Sequence, residues 1–144
     1  MASIKHLFHI NVPKEKVYEA LTTIKGLSNW WTAQTSGDTN LGEVIQFRFG
    51  PNFLNEMKVM VMIPNDFVEW ECVNSAPDWI GTKISFTLDE SDGKTRVRFE
   101  HSGWKETNDF YASCSFSWGR YMESLRQYYQ TGKGEAFGSE SYRK

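Results

Sequence analysis

The sequence predicts one α+β domain: an antiparallel meander of six strands, two short helices after the first strand, and a long C-terminal helix covering the dry face of the sheet. Three observations carry this. From Glu43 to Ser102 apolar residues recur with a period of two, between separators rich in Gly, Pro, Asn and Asp, the pattern of short strands and turns. Near the C-terminus Phe110, Cys114, Trp118, Tyr121, Leu125 and Tyr128 step by four and three, the stripe of an amphipathic helix. The chain has 144 residues, 40% hydrophobic and 24% charged, the size and balance of a single globule. At that length a fold buries about 68–70% of the surface its unfolded chain exposes, enough to form a core without metal or disulfide staples.

Residues 4–12 read as a strand with Ile4, His6, Phe8 and Ile10 on one face. Pro13 then opens a helix, where its missing N–H costs nothing, and Val17, Ala20, Leu21 and Ile24 repeat at helical spacing until Gly26 ends it. Leu27 to Thr32, with the pair Trp30 and Trp31, forms a second short helix, and the polar stretch Ala33 to Gly42 is a loop. Five strands follow, at 43–49, 56–63, 66–73, 80–88 and 94–102. Thr95, Val97, Phe99 and His101 face inward and Arg96, Arg98 and Glu100 outward, so one face is dry and the other wet. Glu69, Glu71 and Glu100 belong to that wet face, with Lys83, Arg96 and Arg98 within reach as exposed ion pairs of little energetic weight. The last helix starts at Asn108 or Asp109, which cap it, and stops at Gly132. Gly119 inside it marks a close approach or a slight bend. Residues 1–132 form the domain, and 133–144, without periodicity, a flexible tail.

Composition excludes several functions. Sixteen basic and eighteen acidic residues give a net charge of −2, and without a basic cluster the chain is not a nucleic-acid binder. No apolar run approaches the roughly 18 residues of a membrane helix, and Lys5 and His6 interrupt any signal peptide. With Cys72 and Cys114 far apart and no N-x-S/T sequon, the expected compartment is the cytoplasm. No G-x-S-x-G, Walker loop, G-x-G-x-x-G, H-E-x-x-H or C-x-x-C is present, which removes common hydrolase, nucleotide, zincin and redox readings. His6 and His9 point to opposite sides of a strand and cannot chelate together, so neither metal nor cofactor is implied. Cys114 lies in the apolar stripe and reads as a small hydrophobe, as does Cys72. Glu56 and Asp78 are the acids nearest a cavity mouth, and neither has an evident partner.

Six Trp, six Tyr and ten Phe make up 15% of the chain, more than an ordinary core needs. Trp30 and Trp31 are too bulky for both to bury on a short helix, and Phe53, Trp79 and Trp104 fall in loops, where ligands are often met. Met57, Met60 and Met62 add an adaptable apolar strand.

Several stretches together resemble a known family. They are INVPKEKVYEAL (Ile10 to Leu21), GLSNWW (Gly26 to Trp31), VEWEC around Trp70, FEHSGW (Phe99 to Trp104) and SLRQYYQTGKGEAF (Ser124 to Phe137). In this order the chain resembles the START-like (SRPBCC) superfamily, in particular bacterial homologues of the activator of the 90-kilodalton heat-shock protein ATPase. The resemblance implies a helix-grip fold, a curved sheet gripping the long helix across its concave face, with an apolar cavity between them that many members use for a lipid, sterol or polyketide. A small hydrophobic molecule is then the expected partner. The expected walls are Phe47, Trp70, Phe86, Phe99, Trp118 and Tyr121, with His101 as polar anchor and Trp30, Trp79 and Trp104 near the openings. Catalysis on a bound ligand, as in cyclase or aromatase relatives, and a co-chaperone-like interaction module are the alternatives. His101 suits an acid–base role by its ordinary pKa of about 6.5, but no orienting partner is evident in the sequence.

Overall fold

The computed structural model describes residues 1–142. The elements run β1 (Ala2–Ile10), α1 (Lys14–Thr22), α2 (Ile24–Trp30), β2 (Gln34–Gly37), β3 (Val44–Arg48), β4 (Leu54–Ile63), β5 (Phe67–Asn74), β6 (Lys83–Ser91), β7 (Lys94–Trp104) and α3 (Asp109–Thr131). The strands form one seven-stranded antiparallel sheet in the order β1-β7-β6-β5-β4-β3-β2. The expectation of six strands is therefore corrected by one. The extra strand is β2, in the stretch read as a loop, and it pairs with β3 from Gln34↔Arg48 to Gly37↔Ile45. Only Thr35 of its four residues is buried, so a backbone-held edge strand leaves no apolar alternation to read.

Alternating burial along β5, β6 and β7 sends Val68, Trp70, Cys72, Ile84, Phe86, Leu88, Val97, Phe99 and His101 to the inner face. Register shifts between Glu56 and Met57 and between Val59 and Val61 mark bulges, which bend a strand and sharpen its twist. On the outer face Arg96 and Arg98 both hold Asp89, at 3.1 and 2.5 Å. Glu71 stands in register between Lys58 and Lys83, and Glu100 opposite Lys5.

Thr23, not Gly26, separates the first two helices. Its backbone is extended, and its side chain accepts from the Gly26 N–H at 3.0 Å, capping α2. Gly26 lies inside α2 because nothing larger fits: a Cβ there would sit 2.5 Å from the Ala20 Cα of α1. Helix α3 is capped by Asn108, whose side chain accepts from the Tyr111 N–H, and ends on Gly132 in the left-handed region at φ 83°. A Cβ at Gly119 would meet His6 of β1 at 3.5 Å, and the His6 ring lies 3.2 Å from the Ser115 carbonyl of the same helix.

The segment expected to trail freely doubles back over residues 133–142; 143–144 lie outside the described residues. Ala33 N–H donates to Phe137 O and Phe137 N–H to Trp31 O, both at 2.9 Å. The buried Ser124 hydroxyl donates to Trp30 O at 2.8 Å and accepts from Glu135 N–H at 2.6 Å. A Cβ at Gly134 would overlap Asn29 O at 2.2 Å. Apart from the buried Ala136 and the Phe137 ring against Phe49, these are backbone contacts and single hydroxyls, so the segment carries no periodicity.

Gly26→Ala is expected to destabilise the fold by about 1–3 kcal/mol, the range for overpacking a close contact, because backbone rather than a flexible side chain must yield. Urea denaturation of the variant against the parent measures it.

Candidate functional site

The N-terminal half of α3 presents Phe110, Cys114, Ser117, Trp118 and Tyr121 on one side, as steps of three and four dictate. With Phe49 and Phe53 from the β3–β4 connection, Asn55 of β4, Trp79 from the β5–β6 connection, Trp31 after α2, and Phe137 and Tyr142 of the C-terminal segment, they line a cleft of about 260 Å³. Phe53 and Phe110, each about two-fifths exposed, stand at its rim. The floor is aromatic. Trp118 lies 4.9 Å from Trp31 and stacks within 15° of parallel on Trp79 at 5.9 Å. Phe49 meets Phe137 at 5.3 Å and Tyr121 at 6.4 Å. No Asp, Glu, Lys, Arg or His lines it among the described residues.

Beneath the floor runs a chain of hydrogen bonds whose direction is fully determined. The Trp118 indole N–H donates to His101 Nδ1 at 3.1 Å. The Thr82 hydroxyl donates its one proton to the Trp79 carbonyl at 2.6 Å. Thr82 Oγ1 lies 2.8 Å from His101 Nε2, so it accepts there and His101 carries its proton on Nε2. The imidazole is fully buried, and burial pushes its pKa down to about 3. Protonation would also put an N–H on Nδ1, facing the Trp118 N–H. His101 is a neutral strut whose orienting partners are Trp118 and Thr82.

Burial raises the pKa of both thiols, Cys72 to about 11, and at Cys114 the Trp79 side chain acts weakly the other way. Both are free and, held protonated, are poor nucleophiles. Three buried polar side-chain atoms have no hydrogen-bond partner among the described residues: Tyr18 Oη, Trp79 Nε1 and Trp104 Nε1. No cluster of three or more His, Cys, Asp or Glu is placed to hold a metal among those residues.

Of the residues expected around a cavity, Trp79, Trp118 and Tyr121 line the cleft. Phe47, Trp70, Phe86, Phe99 and His101 lie in the packed core and off the cleft wall. Trp30 and Trp104, expected at openings, are sealed, with Trp30 Nε1 donating to Ala20 O at 2.9 Å. Trp30 and Trp31 do both bury, against expectation. They stack within 12° of parallel, and Phe86 closes on one while Phe47 and Trp118 close on the other. The short α2 is covered on both sides, by sheet and by α3 with the C-terminal segment. Asn55, Ser117, Phe49 and Phe137 were not singled out as wall residues. Ser117 precedes the striped Trp118, and Phe137 closes the GEAF stretch, but only the fold brings them together. Glu56 is engaged by Gln46 and Asn74, and Asp78 by Asn108.

The family model for Activator of Hsp90 ATPase homolog 1-like protein matches residues 11–130. Among solved structures, the chain is similar to the Aha1 dimer from Colwellia psychrerythraea at 42% identity and a TM-score of 0.85, covering 93% of this chain and 100% of that one. It is also similar to MLL2253 from Mesorhizobium loti (21% identity, TM-score 0.77, 88% of this chain and 95% of that one). SSP2350 from Staphylococcus saprophyticus shares the fold as well, at 17% identity and a TM-score of 0.76, over 92% of this chain and 95% of that one. None of the curated proteins matches.

The strut makes stability depend on pH with a definite sign. The His101 pKa falls from 6.5 in the unfolded chain to about 3 in the folded one, so the unfolded chain binds the extra proton and stability is lost as pH drops from 6.5 towards 3. At about 1.4 kcal/mol per unit, lowering the pH from 6.5 to 5.0 costs roughly 2 kcal/mol through this group. Denaturant unfolding at the two pH values is expected to show that loss in the parent and a correspondingly shallower one in His101→Gln, whatever its absolute stability.

Proposed function

The chain belongs to the family described as Activator of Hsp90 ATPase homolog 1-like protein, and on that premise we propose that it binds a small apolar or amphipathic molecule in the cleft between the sheet and α3. The observation that carries this is an aromatic-lined cleft without a charged group in its wall. Pockets for small molecules are concave, mostly apolar and furnished with a few polar groups. At about 260 Å³ this one falls just below the roughly 300–1,000 Å³ typical of drug-sized ligands, which favours a compact ligand over a sterol or long acyl chain. Binding is favoured over catalysis, because the wall offers no carboxylate, imidazole or amine, and the one thiol is held protonated. No helix among the described residues is long and apolar enough to cross a membrane. A cytosolic location completes the reading, supported by two free, buried thiols.

A second reading, a protein-interaction role, is favoured by the outward side of α3. Phe116 is 70% exposed there, with the Arg120 guanidinium 6.0 Å from its ring centre, and on the opposite face of the sheet Leu7 of β1 is 60% exposed. The similar protein from Colwellia psychrerythraea is a dimer, and an exposed aromatic of this kind suits self-association or chaperone contact.

Saturation-transfer NMR with naphthalene tests the first reading. The parent is expected to give a saturable signal. Ser117→Phe, which places a ring in the cleft, is expected to abolish it, and Phe53→Ala to weaken it several-fold while changing stability by no more than about 0.5 kcal/mol, as for a half-exposed side chain. No signal from the parent, or full binding by Ser117→Phe, overturns the reading.

A further inference from the structure

The cleft has a polar side that its apolar lining does not require. Trp79 is 8% exposed, its indole N–H is shut off from solvent, and among the described residues no oxygen or nitrogen accepts from it. An indole N–H can only donate, and Cys114 beside it offers a sulfur, a weak acceptor. A buried donor met only by a sulfur carries a desolvation penalty that an oxygen acceptor in the cleft would relieve. Asn55 is 2% exposed and also lines the cleft. Its Oδ1 is engaged by the Ser75 hydroxyl at 2.5 Å, which fixes the amide and leaves Nδ2 as a second donor.

We infer that the cleft is selective for neutral, planar aromatic molecules carrying one hydrogen-bond acceptor, such as an aryl ketone or ester, with the carbonyl oxygen taken by Trp79 Nε1–H and Asn55 Nδ2–H. This deepens the binding reading and rests on it. Neutrality follows from the wall, since a carboxylate or ammonium would enter with no counter-charge and would lose its hydration. Planarity follows from the Trp118, Trp79 and Tyr121 surfaces, on which a ring system packs by offset or edge contact. The size follows from the volume: about 260 Å³ equals the liquid share of roughly nine water molecules at about 30 Å³ each, room for a fused bicycle with a short substituent. Both donors sit on parts of the chain that other contacts hold. Asn55 is on β4 opposite Phe47, and the Trp79 carbonyl is tied through Thr82 to His101.

The test compares 2-acetylnaphthalene with 2-isopropenylnaphthalene, which has the same shape with a methylene in place of the carbonyl oxygen. Affinities are measured by NMR titration on the parent, Trp79→Phe and Asn55→Leu, and the readout is the ketone-to-alkene affinity ratio within each protein, so that a general loss of stability or packing cancels. Trp79→Phe is expected to lower that ratio about tenfold and Asn55→Leu several-fold, as the loss of a partner for a buried carbonyl implies. In the parent, the ketone is expected to move the Trp79 indole N–H resonance downfield, and the alkene is not. A ratio that stays constant across the three proteins, with the alkene still binding, overturns the donor assignment and leaves the cleft as an unselective apolar site. Failure of both compounds to bind the parent overturns the assignment together with the binding reading.

Discussion

The arrangement depends on one neutral imidazole. His101 joins three parts of the chain that the sheet alone does not bring together: the long helix through Trp118, its own strand β7, and the β5–β6 connection through Thr82 and the Trp79 carbonyl. His101 and Thr82 each give one proton and take one, between the Trp118 N–H that only donates and the Trp79 carbonyl that only accepts, in a core where an unpaired polar group is expensive. Reversing any member would strand a donor against a donor. The relay therefore fixes the azimuth of α3 by way of the Trp118 ring and, from the same anchor, the height of the Trp79 loop. Those two rings are the floor of the cleft.

That constraint explains why space remains where it does. Strand β4 is bulged, and the N-terminal half of α3 lies against β1, where Tyr111 Oη donates to Ser3 O at 2.7 Å and His6 meets Ser115 and Gly119, while the relay ties Trp118 to β7. Further along, Ser124 ties α3 to Trp30 and to the C-terminal segment, closing the other end. What is left between is bounded by rings, with Asn55, Ser117 and Trp79 among its polar points. In such a space ring stacking and desolvation set affinity, while the few donors set which molecules pay no penalty on entry.

Most of the architecture was legible in the sequence because it is written in periodicity. The alternation at Thr95 to His101 and the stripe from Phe110 to Tyr128 gave strands, helix and buried faces directly. What was not legible is held by backbone. Strand β2 shows a single buried side chain, Thr35, and the segment around Phe137 is attached by main-chain bonds, Ser124 and the isolated side chains of Ala136 and Phe137, none of which makes an apolar period. The cleft was harder still. Its expected walls were the largest inward aromatics, and Phe47, Trp70, Phe86 and Phe99 instead fill the core against one another. The actual wall gathers Asn55, Ser117 and Phe137 from distant places, and only register and docking bring them together. His101 was recognised as inward and polar, but its partners are a tryptophan N–H and a threonine, types that are not sought as orienting groups.

The most direct measurement is the set of intermolecular nuclear Overhauser contacts from 2-acetylnaphthalene bound to isotope-labelled protein. The account predicts contacts from its ring protons to the side chains of Trp118, Tyr121 and Phe137 together. Contacts confined to Phe116 and Leu7 on the outer surface, or none to the three cleft residues at saturation, would contradict it.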